Sequence, residues 1–112
     1  MKYYYALYMD EYAKENQADI IRKIENDKWQ MNIYLVVLTK GEKNHMEVFH
    51  SVLLIQKALS KDDLFVVGIA NGYFEALELV EKITQEVYDE TGDVDIRNYI
   101  LQKQQKHEEE RV

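Results

Sequence analysis

Two parts of this chain bring together residue types that could do chemistry. One is the turn Gly68-Ile69-Ala70-Asn71-Gly72; the other is the polar set Lys40, Lys43 and His45. A glycine turn between an apolar run and a helix can leave backbone N–H groups free to surround an anion. Lys40 or Lys43 would supply the positive charge that the turn lacks. In a parallel sheet the loops after each strand leave at one edge, and ligands favour that edge. Such an edge would gather Asp10, Glu11, Thr39, Lys40, Lys43, His45, Asn71 and Gly72, and its chemistry would be the binding of a small phosphoryl or other anionic ligand. The pattern is neither the three-glycine dinucleotide fingerprint nor a P-loop, which ends in Lys-Ser/Thr. Glu75 and Glu78 follow in the first helical turns, where they would oppose a phosphate. The plain structural alternative is that Gly68 admits a closely packed helix and Gly72 starts it.

No nucleophile stands out. Ser51 and Ser60 lie outside any G-x-S-x-G elbow, and Thr39, Thr84 and Thr91 have no motif around them. His45 and His50 are five residues apart, whereas a helical ligand pair is spaced four apart; His107 stands in a charged tail. Asp62, Asp63, Asp93 and Asp95 suit loops and helix caps. The chain has no cysteine, hence no thiolate nucleophile and no cysteine-held metal. No catalytic, cofactor or metal residue is assigned, and the reading leans away from an enzyme.

The tyrosines form a third group. There are nine, six of them in the first 34 residues. Tyrosine buries a ring while keeping a wet hydroxyl, which suits it to interfaces. Strand alternation sends Tyr4 and Tyr8 to one face and Tyr3 and Tyr5 to the other, whereas helical spacing gathers Tyr5, Tyr8 and Tyr12. Either way an aromatic set is left at the surface. Tyr4, Tyr5, Tyr8 and Tyr12 are therefore the candidate interface, facing a protein partner or a second copy in a homodimer.

These groups are positioned by a strand–turn–helix unit over residues 64–92. Residues 64–70 are continuously apolar and rich in β-branched side chains, as in a strand covered on both faces. From Tyr73 the period becomes helical: Phe74, Leu77, Val80, Ile83 and Val87 form a stripe, widened by Tyr73, Ala76, Leu79 and Tyr88, and Gly92 sits at a C-cap position. Residues 31–39 form a second strand without a polar face. Residues 2–9 read as a strand on propensity, although Tyr4, Tyr5, Tyr8 and Tyr12 also fit a helix. Residues 10–27 carry a helical stripe. Residues 45–59 read as a helix by length and period, with a strand as the alternative. After Gly92, Ile96, Tyr99 and Ile100 would dock a last helix.

The expected fold is a small three-layer α/β domain, β-α-β-α-β-α-α, with a short, mostly parallel sheet. If 45–59 is a strand it becomes α+β with a three-stranded meander. Residues 1–103 would form the single domain and 104–112 a charged, frayed helical tail. Val36, Leu38, Val66, Val67, Ile69, Leu77 and Val80 are the expected core. The 112 residues set a one-domain prior, and 46% apolar residues suffice for a core. A formal charge of −7 argues against general nucleic-acid binding. No leader or membrane-spanning run is visible. The functional expectation is a small cytoplasmic interaction or regulatory module, possible ligand binding at the carboxyl edge being the alternative.

Overall fold

The computed structural model describes residues 1–39, 45–56 and 60–111. The chain forms a small α/β domain. In order it builds β1 (Lys2–Met9), α1 (Glu11–Glu15), α2 (Gln17–Glu25), β2 (Ile33–Leu38), β3 (Met46–His50), α3 (Val52–Ile55), a 3-10 turn (Lys61–Asp63), β4 (Phe65–Asn71), α4 (Tyr73–Thr91) and α5 (Ile96–Glu110). The sheet has four strands in the order β1-β4-β2-β3. Helices cover both faces. Ile83, Val87 and Ile100 of α4 and α5 pack on one side, Ala13, Ile20 and Ile24 of α1 and α2 on the other. The apolar strands β2 and β4 lie at the centre, as strands without a polar face should.

The three-stranded, mostly parallel sheet is corrected to a four-stranded mixed one. β1 pairs parallel with β4, but β2 is antiparallel to both its neighbours. The cause lies at the end of α2. Asp27 takes a φ of 55°, a left-handed conformation that aspartate tolerates better than most residues. The chain there turns back along its own helix: Lys28 N donates to Lys23 O and the Gln30 amide to Ile20 O. β2 therefore starts beside the end of β4, with Ile33 opposite Asn71.

The helix expected over 45–59 is also corrected. Met46–His50 is a strand, antiparallel to β2, and the helical part shrinks to the single turn of α3. A connection this short suits antiparallel pairing, since a parallel crossover needs a dozen residues or more. Backbone pairing with an already central strand overrides a helical apolar period; Val48 and Phe49 fit a pleated surface well. Residues 57–59 lie outside the described residues.

The strand–turn–helix unit stands. Gly92 caps α4 in the left-handed region, φ 73°, and its N–H reaches Tyr88 O at 2.8 Å. The inward face of α4 is rotated from the expected one, however. Ala76, Leu79, Ile83 and Val87 are buried, Val80 is half-buried, and Phe74 and Leu77 are exposed by 75% and 37%. Gly68 explains the close approach: a Cβ there would stand 3.2 Å from Val36 Cβ and 3.3 Å from Leu79 Cδ1. The helix settles over that gap through Leu79, and Ala76 is small enough to allow it. The other expected core residues, Val36, Leu38, Val66, Val67 and Ile69, are buried.

The tail also departs from the frayed reading. α5 continues to Glu110, and the Gln104 side chain is buried against β1. Tyr5 N donates to Gln104 Oε1 at 2.9 Å, Gln104 Nε2 donates to Glu108 Oε1 at 3.1 Å, and Lys2 Nζ meets the same oxygen at 3.1 Å. This strap closes a bulge. Between the pairs Tyr3–Val66 and Tyr8–Gly68, β1 advances five residues while β4 advances two. The bulge interrupts the ladder over 4–7, and Gln104 takes up one of the freed N–H groups.

Candidate functional site

The topology divides the residues that the sequence grouped at one edge. Asn71 and Gly72 lie at the end of β4, where β2 begins, whereas His45 lies beyond Leu38 and Phe65, at the opposite end of the sheet. The reversal of β2 separates them. Lys40 and Lys43 lie outside the described residues. His45 caps α5: its Nδ1 accepts from Arg97 N at 3.3 Å, next to the Asp95 carboxylate that accepts from Asn98 N. Two N–H groups left open by the first helical turn are satisfied in this way.

The glycine turn is already occupied by the chain's own acids. Asp10 Oδ1 accepts from Ala13 N at 3.0 Å and its Oδ2 from Asn71 N at 3.2 Å, so one carboxylate caps α1 and ties β4 to it. A Cβ at Gly72 would collide with the Glu75 carboxylate, which lies back over the start of α4. An incoming anion would have to displace that carboxylate.

The candidate interface tyrosines are likewise dispersed. Tyr4 is buried on the α4–α5 face, its ring 6.3 Å from that of Tyr8. Tyr8 is half-buried and donates to Glu86 Oε2 at 2.6 Å. Tyr5 and Tyr12 are exposed, and Tyr5 stacks on His107 at 4.1 Å. The alternation placing Tyr4 with Tyr8 holds; the bulge turns Tyr5 aside toward α5. Beside this strand runs a cleft of about 530 Å³, lined among others by Tyr8, Glu86, Glu90, Tyr99 and Lys103. Several of its polar groups pair with one another, with Tyr99 Oη donating to Glu90 Oε2 at 2.6 Å and Lys103 Nζ lying 4.7 Å from the Tyr99 ring centre.

These phenols hold their protons tightly. Burial pushes Tyr3 up to about 12, aided by the nearby Glu25 charge. Burial raises Tyr4, with the neighbouring Tyr5 adding to it, and burial and the hydrogen bond to Glu86 raise Tyr8. Tyr99 is raised by burial and by its bond to Glu90, whose own carboxyl is lowered by that bond. In the unfolded chain tyrosine ionises near about 10. Above that pH the unfolded state loses protons that the folded state keeps, so stability falls as pH rises from about 10 toward 12. In an alkaline titration the phenolate absorbance of Tyr3, Tyr4 and Tyr8 should appear together with loss of the far-ultraviolet helix signal. Their ionisation inside a folded chain would refute the burial assigned to them.

What the sequence reading missed is the aromatic flank of α4. Tyr73, Phe74, Leu77 and Tyr88 are all exposed. Tyr73 meets Tyr34 of β2 edge-on at 5.6 Å, and Tyr34 meets His50 of β3 at 5.0 Å. The opposite flank is charged and turns Glu86 to β1. The available signal was the width of the apolar arc. Nine apolar positions between Tyr73 and Tyr88 exceed what one helix can turn to one sheet.

Among the described residues no cluster of histidine and acidic groups has metal-binding geometry, and no helix is long and apolar enough to cross a membrane. Comparison with protein families, characterised proteins and solved structures found no match to this chain.

Proposed function

We propose that this chain is a small protein-interaction module that acts by docking and associates with itself, and that its docking surface is the aromatic flank of α4. The observation that carries the reading is Phe74, three-quarters exposed beside Tyr73 and Leu77 on a well-formed helix. Contiguous exposed apolar groups mark contact sites, and aromatic side chains supply much of the energy where they are buried between chains. Of the tyrosines near the start of the chain Tyr4 is buried and Tyr8 half-buried, while Tyr5 and Tyr12 stay exposed; the α4 residues Tyr73, Phe74 and Leu77 offer the more contiguous apolar set. The formal charge of −7 disfavours a nucleic-acid partner.

Sedimentation from micromolar to submillimolar concentration tests this. The wild-type chain should associate, and Phe74→Ser/Leu77→Ser should sediment as a monomer that keeps the far-ultraviolet helix signal, because Phe74 stands three-quarters and Leu77 more than a third in water. A wild-type monomer throughout that range would overturn the proposal.

A further inference from the structure

The two edges of the sheet are treated differently. The β1 edge is bulged, and Gln104 of α5 is bonded to Tyr5 N. The β3 edge has no such cover among the described residues. Its hydrogen-bond phase follows from two bonds at its ends: Thr39 N donates to His45 O and Ser51 N to Ile33 O. Both fall on the register that sets Val36 opposite Val48. In an antiparallel ladder bonded and non-bonded pairs alternate. Residues 45, 47, 49 and 51 therefore turn their backbone groups to β2. Met46, Val48 and His50 turn theirs outward.

We propose that a second copy of this chain adds to the β3 edge, antiparallel, with Val48 of each copy on the two-fold axis. This rests on the self-association reading and specifies its geometry. Only a register centred on an outward residue bonds outward groups to outward groups, and centring it on Val48 uses all three. Met46 then faces His50 of the second copy, and Val48 faces Val48. Glu47 stands opposite Phe49, so no like charges meet across the strands, a requirement for copies that each carry −7. Met46 and Val48 pack on the same sheet face as α4, so the paired strands bring the aromatic flanks of the two α4 helices to one side of an eight-stranded sheet. A two-fold contact needs this kind of self-complementary patch.

Single cysteines test the register, since the chain has none of its own. Under mild oxidation Val48→Cys should give a covalent dimer. Glu47→Cys should not, because its Cα would lie roughly 8 Å from its own copy by strand spacing and rise, beyond the about 7 Å that a disulfide spans. Val48→Pro is the second arm. It removes an outward N–H and no internal ladder bond, so it should keep the helix signal and abolish association. If the wild type associates but Glu47→Cys links as well as Val48→Cys, or Val48→Cys does not link, or folded Val48→Pro still associates, the β3 geometry is wrong and the self-association reading stands. Should Val48→Pro fail to fold, the cysteine pair decides alone. A chain that is monomeric throughout removes both.

Discussion

Ile83→Ala should destabilise the chain by about 2–5 kcal/mol, and Leu77→Ala by less than about 1 kcal/mol, in equilibrium denaturation. The two residues lie six positions apart on one helix, and the sequence pattern ranks them alike. Ile83 is fully buried between the sheet and Ile100, so truncation loses transfer energy and leaves a cavity that close-packed neighbours cannot fill. Leu77 already stands more than a third in water. Equal losses would mean that α4 is rotated relative to the structure. The comparison belongs at low protein concentration, because association through the α4 flank would add stability that Leu77→Ala removes.

Ending the chain after Lys103 should cost about 1–3 kcal/mol, and Gln104→Ala much of the same amount. Both leave the part-buried Tyr5 N–H without its acceptor, and the truncation also deletes the Glu108 to which Lys2 is paired. The surface ion pair itself contributes little, so the single amide substitution should approach the effect of removing the last turns. Melting temperatures of the full chain, Gln104→Ala and the truncation measure this. An unchanged value for both variants would mean that the tail is as dispensable as its composition suggests. A drop for the truncation alone would shift the weight from the amide to the terminal turns.

Local signals carried the parts of the fold that depend on neighbours in sequence. The apolar run, the glycine and the change of period placed β4 and α4, and Gly92 closed the helix. Continuous apolarity placed β2 at the centre of the sheet, and tyrosine-rich propensity made β1 a strand. The rest depends on partners distant in the chain. Asp27 reads as an ordinary helix end until its backbone is seen to reverse β2, and that reversal sets His45 at the other end of the sheet from Asn71 and Gly72. Met46–His50 becomes a strand because β2 offers it a ladder. The orientation of α4 is set by Gly68 on another element, and Gln104 looks like one polar residue among many until the β1 bulge leaves an N–H for it. Candidate residues were accordingly legible by type and misplaced by geometry: His45 became a helix cap, Tyr4 a core residue, and Phe74, assigned inward, the most exposed aromatic of α4.

The pairing of β1 with β4 alone bears on the order in which the chain acquires structure. Lys2 pairs with Phe65, so during synthesis β1 leaves the ribosome long before β4, its sheet partner among the described residues, exists. The β2–β3 hairpin, joined by a short connection, can close first, and β4 adds to it. The tyrosine-rich segment waits, unpaired, until the elements between it and β4 and then β4 itself have been made. Contacts of such sequence separation slow folding, and an unpaired strand is prone to wrong partners in the interval. Moving β1 to the far end of the chain by circular permutation, behind a flexible linker, would bring it out after β4 and should shorten the interval in which it stands unpaired, at unchanged sheet order.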